Sequence, residues 1–122
     1  MTTASKPHPA VVALPAKTVR TEDWQPNGDD GRFYRFCWGE TRDVATESKY
    51  SPKIVGVSTH AAQYDDGSID DGANEAPGIS LDKGDDEGPR RDTGIWLSSE
   101  AARQLADVLV TAADEIDGWA AR

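Results

Sequence analysis

The pattern that most restricts this chain lies near its C-terminus. Ala101, Leu105, Val108, Leu109, Ala112, Ile116 and Trp119 recur at helical spacing. Arg103, Gln104, Asp107, Thr111, Asp114 and Glu115 fall on the opposite side. Ser98 is a natural N-cap, because its hydroxyl can accept from an otherwise unpaired backbone N–H, and Glu100 suits the positive end of the helix dipole. Gly118 stands where a C-terminal cap is expected. Such a helix needs an apolar surface, and the residues before it read as strands and loops.

Arg32 to Trp38 places Tyr34, Phe36 and Trp38 on one face of a strand and Phe33, Arg35 and Cys37 on the other. Lys53 to Tyr64 alternates in the same way, with Val55, Val57 and Thr59 opposite Ile54, Gly56 and Ser58. Gly78–Asp82 and Gly94–Leu97 read as two shorter strands, pairing Ile79 and Leu81 with Ile95 and Leu97 across an excursion from Lys83 to Thr93. Ala10–Leu14, hemmed by Pro7, Pro9 and Pro15, is a candidate edge strand. Residues 25–31 and 65–68 are turn-forming, and residues 39–52 read as a long connection.

The expected fold class is α+β: a small antiparallel sheet of about four or five strands packed by one C-terminal amphipathic helix. Residues 1–9 form a flexible tail and 10–122 a single domain. One helix of about 20 residues spans about 30 Å and covers one sheet face. The strand at Phe33–Trp38 is apolar on both faces, so the N-terminal segment, a long loop or another chain must cover the second face, and a homodimer is the favoured expectation.

The net charge of −9 disfavours direct binding to nucleic acid or to an anionic membrane surface. No stretch is long and apolar enough to span a bilayer. A single cysteine, Cys37, excludes an intrachain disulfide framework, and a cytoplasmic location follows as the expectation. Residues 60–89 hold nine acids and one base, Lys83, which accounts for nearly all of the net charge. Asp65, Asp66, Asp70, Asp71, Asp85, Asp86 and Glu87 form a candidate acidic patch for a basic protein, on the expectation that these turns gather at one end of the sheet. The bland alternative is a set of solvated loops.

No catalytic, cofactor or metal set emerges. An EF-hand reading that starts at Asp66 places Ser68 and Asp70 at ligand positions, then fails at Asp71, where glycine is needed, and at Pro77, where a bidentate Glu is needed. A Cys37–His60 nucleophile pair has no third orienting group and no oxyanion loop, so a buried structural Cys37 is the simpler reading. Trp24, Trp38, Trp96 and Trp119 lack a basic groove for stacking on bases and are assigned to core or interface.

Ile79-Ser80-Leu81-Asp82, an acidic loop and then Gly94-Ile95-Trp96-Leu97-Ser98-Ser99-Glu100-Ala101-Ala102-Arg103-Gln104-Leu105-Ala106 resemble a pattern of small uncharacterised actinobacterial and actinophage proteins. These pair short strands with a Leu-Ser/Thr-x-x-x-Ala-Arg-x-Leu-Ala helix, and Ala112 to Asp117 fits the same picture. The resemblance covers the last third of the chain and brings no catalytic residues with it. The expected function is a non-enzymatic accessory or protein-interaction domain. The alternatives are an acidic nucleic-acid mimic that inhibits a DNA- or RNA-binding protein, and a small enzyme using Cys37 and His60.

Overall fold

The computed structural model describes residues 12–28, 30–72, 75–85 and 87–121, so the expected tail at 1–9 and Asp86 lie outside it. Seven strands, β1 (Arg20–Thr21), β2 (Gln25–Pro26), β3 (Phe33–Trp38), β4 (Arg42–Ala45), β5 (Ile54–Tyr64), β6 (Gly78–Gly84) and β7 (Arg91–Leu97), precede one helix, α1 (Ser99–Ala120). Together they form an α+β fold with one antiparallel sheet of order β1-β3-β5-β6-β7, in which β2 also pairs with β3 and β4 with β5. The sequence suggested four or five strands. The extra ones are short: β1 and β2 share one edge of β3, and β3 and β4 follow each other along one edge of β5. β4 lies in the segment read as a long connection. Its alternation of Arg42, Asp43, Val44 and Ala45 is too brief to identify a strand without its partner.

Long β5 organises the sheet. Directly paired residues share a face, so Cys37↔Ala61, Thr59↔Ile79, Val57↔Leu81, Arg42↔Val57 and Val44↔Val55 define one side, called here the groove face. Tyr34↔Tyr64, Phe36↔Ala62, Trp38↔His60 and Ser80↔Trp96 define the other, the aromatic face. The two-sided apolar character expected of Phe33–Trp38 is therefore real.

β6 and β7 are longer than expected and reduce the excursion between them to residues 85–90. Ile79 pairs with Leu97 as expected, but the register shifts before Asp82↔Asp92, so Leu81 does not meet Ile95. Gly94 adopts a left-handed φ of 78°, and the Thr93 hydroxyl donates to the Leu81 carbonyl at 2.8 Å in place of a ladder bond. On the aromatic face Arg90 donates to Asp43 at 2.7 Å and to Asp82 at 2.8 Å, joining the β6–β7 loop to β4.

That joint titrates. The hydrogen bond from Arg90 holds the Asp43 carboxyl below its ordinary value. A depressed folded-state pKa adds stability that is complete above the unfolded value of about 3.9 and is lost as pH falls through the folded one. Amides of Arg42–Ala45 are therefore expected to lose exchange protection relative to β5 as pH drops below about 4. An Arg90→Ala chain whose Arg42–Ala45 amides keep the parent's protection and its fall with pH would show that this cluster is not the cause.

The core is small. Among the described residues the buried apolar side chains are Cys37, Ala62 and Tyr64, at 4%, 0% and 7% exposure. The largest fully buried side chains are polar, Gln63 and Asp70. Gln63 accepts from the Arg35 Nε at 2.9 Å and donates to the carbonyls of Ala13 and Gly67 at 2.8 and 3.3 Å. Arg35 also donates to the Val12 carbonyl at 2.9 Å, and its guanidinium lies 4.3 Å from the centre of the Trp24 ring. Of the candidate strand Ala10–Leu14, the first two residues lie outside the described set. The remainder forms no strand and is instead pinned to the groove face by these side chains.

Ser98 caps α1 as expected, its hydroxyl accepting from the Ala101 N–H at 3.1 Å. The helix runs through Gly118 rather than stopping there, and Ala121 is the cap. Its contacts with the sheet are confined to β6 and β7. Ala101 and Ala102 are half-buried, every described helix position after them is exposed, and no helix residue is buried.

Candidate functional site

The acidic residues divide into two groups. β5 has 11 residues and is about 36 Å long. Asp65, Asp66, Asp70 and Asp71 follow its Tyr64 end, whereas Asp85 and Glu87 follow Gly84, which pairs with Ile54 at the opposite end. The clusters are thus separated by the length of the sheet rather than gathered together. Antiparallel pairing causes this, since β5 and β6 run in opposite directions and the acidic loops follow both of their C-terminal ends.

Several of these acids are occupied within the fold. Asp70, 1% exposed, accepts from the backbone N–H groups of Gly72 at 3.0 Å and Glu75 at 2.7 Å. Asp65 accepts from the Phe33 N–H at 3.2 Å. Asp66 accepts from the Ser68 backbone N–H at 2.9 Å and pairs with Arg32 at 3.3 Å. The Ser68 hydroxyl and backbone hold the Asp66 carboxyl below its ordinary value. Asp71, Asp85 and Glu87 are exposed.

Cys37 and His60 do not meet as a pair. Cys37 is opposite Ala61 and points to the groove face, whereas His60 is opposite Trp38 and points to the aromatic face. The buried Cys37 thiol is free, with the Thr21 hydroxyl 3.8 Å from its Sγ. His60 packs edge-on against Trp96, with ring centres 4.5 Å apart. The Trp96 indole occupies the space over Gly78 that any side chain there would fill.

The rest of the aromatic face is largely engaged with itself. Tyr34, Phe36 and Trp38 form a row with centroid spacings of 5.6 and 6.1 Å. Arg20 lies over Trp38 at 4.0 Å and Arg32 over Tyr64 at 3.7 Å. Arg90 is held between Asp43 and Asp82. Local cations and rings thus cover much of the aromatic face.

The groove face is different. Between the segment Pro15–Val19 and the strands runs a groove of about 680 Å³, whose floor includes Cys37, Ala61, Thr59 and Ile79. Lys17, Glu40, Arg42 and Ser99 also line it. A tight turn holds the wall: the Thr18 N–H and hydroxyl both donate to the Pro15 carbonyl, at 3.2 and 2.6 Å, and Lys17 sits at a φ of +66°. Past the groove, the apolar row continues through Val57, Leu81, Val55 and Val44, the last 58% exposed. Lys83 and Arg91 share this face through their pairing with Val55 and with each other. Among the described residues Lys17, Arg42, Lys83 and Arg91 make no ion pair. A chain of net charge −9 thus presents a basic apolar face.

The second uncovered surface is α1, where Val108, Leu109, Ile116 and Trp119 are each more than half exposed. The sequence identified this stripe but not the basic face. The available signal was the alternation of Arg42 with Val44 and of Leu81 with Lys83, which acquires meaning only once their strands are registered on β5. Among the described residues, no helix is long and apolar enough to cross a membrane.

Comparison with protein-family models, with curated proteins and with solved structures finds no match to the chain, and nothing there bears on the actinobacterial and actinophage resemblance of its last third.

Proposed function

We propose that this chain is a non-enzymatic protein-interaction domain that works as a homodimer. The observation that carries the reading is the exposed apolar stripe of α1, from Leu105 to Trp119, on a chain with three buried apolar side chains among its described residues. Contiguous apolar surface of this kind marks an interface, because leaving it in water forgoes about 25 cal/mol for each Å² that burial would remove. The single buried thiol is in keeping with a reducing compartment, the cytoplasm.

The placement of Cys37 and His60 on opposite sheet faces gives no support to chemistry by that pair. The division of the acidic residues leaves a nucleic-acid mimic with two short charge runs instead of one tract, and Asp70 is committed to its own loop. The accessory-domain reading makes no such demand on the loops.

Sedimentation equilibrium on the full chain at about 0.15 M salt tests the reading. The expected result is a species of twice the 13.2 kDa chain mass at micromolar concentration. A single species of 13.2 kDa up to the millimolar range would overturn the homodimer.

A further inference from the structure

We propose that two copies dock reciprocally, with α1 of each lying along the groove face of the other. This rests on the homodimer reading and specifies which surfaces meet. Each chain carries an apolar helix stripe that no described residue buries and a sheet face that the described residues cover only in part. Its own helix leaves β7 at Ser98 and touches the sheet with its first turn alone, so the stripe from Leu105 onward does not reach the chain's own groove face.

The two surfaces are compatible in length, in pattern and in charge. The stripe from Leu105 to Trp119 runs about 21 Å along the helix and fits within the roughly 36 Å of β5. Leu105, Val108, Leu109, Ala112, Ile116 and Trp119 form the stripe, and Val44, Val55, Val57, Ile79 and Leu81 form the row it would cover. Between Ser99 and Ala120 the helix holds five acids and one base. Beside one acid, Glu40, the groove face offers Lys17, Arg42, Lys83 and Arg91 without carboxylate partners among the described residues. Most of the helix acids lie on the side away from the stripe and only Glu115 borders it, so their field complements the basic face at long range rather than through direct pairs, and the same net charge disfavours pairing two such helices.

Area is sufficient as well. Six stripe side chains at about 60 Å² of apolar surface each, matched by the sheet beneath and counted over both seats, bury roughly 1,400 Å². A stable dimer interface buries about 1,200–2,000 Å².

The test uses Val44→Glu and Leu109→Glu, two positions 58% and 59% exposed in the single chain, so neither change disturbs its core. Circular dichroism is expected to be unchanged in both. Sedimentation is expected to show each variant alone with its dimer constant weakened at least about a hundredfold, since each places a carboxylate in both seats. An equimolar mixture is expected to regain dimer, because one seat then joins an intact helix to an intact face. A monomeric Leu109→Glu beside a fully dimeric Val44→Glu, or a mixture that regains nothing, would overturn reciprocal docking and leave the homodimer standing. Two dimeric variants would do the same by moving the interface elsewhere. A monomeric parent chain would remove both.

Discussion

Replacing Asp70 by Ala is expected to lower the stability of the fold by about 3 kcal/mol, because a nearly inaccessible carboxylate accepts from two backbone donors and hydrogen bonds to a charged group contribute about 1.5–3 kcal/mol each. The Gly72 and Glu75 N–H groups would lose their charged acceptor at a nearly inaccessible site. The Asp70 backbone N–H also donates to the Ala62 carbonyl at 2.8 Å, so the loop is held to the end of β5 at the same point. Asp70→Asn keeps one acceptor oxygen and is expected to fall between the parent and Asp70→Ala. Urea unfolding followed by tryptophan fluorescence measures all three chains, with slopes compared to confirm a common transition. An alanine variant within about 0.5 kcal/mol of the parent would return Asp70 to the class of solvated loop acids.

Gln63→Ala is expected to cost a similar amount, about 3 kcal/mol, since it strips partners from the Arg35 Nε and from the carbonyls of Ala13 and Gly67 together. The more telling consequence is regional. Val12 and Ala13 are held against the groove face by Arg35 and Gln63, and that segment leads directly into the groove wall at Pro15–Val19. Hydrogen exchange is therefore expected to rise at residues 16–19 more than in β6 or β7. Gln63→Glu retains the acceptor for Arg35 and loses both donors, which separates the anchoring of Ala13 from the pairing with Arg35. A uniform loss of protection across the sheet in both variants would mean that Gln63 supports the fold generally and not the wall of the groove.

Both residues show how a small apolar core changes the importance of polar groups. Sequence patterning singled out Asp70 as one acid in a charged turn and passed over Gln63 as a polar residue ending a strand. Burial gave both their weight, and burial depends on which loop folds over which strand end.

The helix was legible because its evidence is local: a 3.6-residue apolar period and a serine whose hydroxyl reaches a backbone N–H three residues on. The faces of β3 and β5 were legible for the same reason, since alternation is carried within each strand. Gly118 was misread as a cap because a glycine near a helix end permits termination without requiring it. β4 was missed because four residues carry too little period. The expected Leu81–Ile95 pairing does not form, because one bulge at Gly94 shifts the register of everything beyond it.

The sequence by itself determined the α+β class, the C-terminal helix with its cap, the two-sided apolar character of β3 and the concentration of acid in residues 60–89. Each of these is a property of neighbours along the chain. Only the tertiary structure decided that the acidic loops stand at opposite ends of β5, that Cys37 and His60 face away from each other, and that four cations share one apolar face of an acidic protein. Those depend on strand direction and register, which follow from long-range pairing. The direction in which α1 leaves the sheet belongs to the same class, and it places the most legible element of the sequence where its own chain cannot bury it.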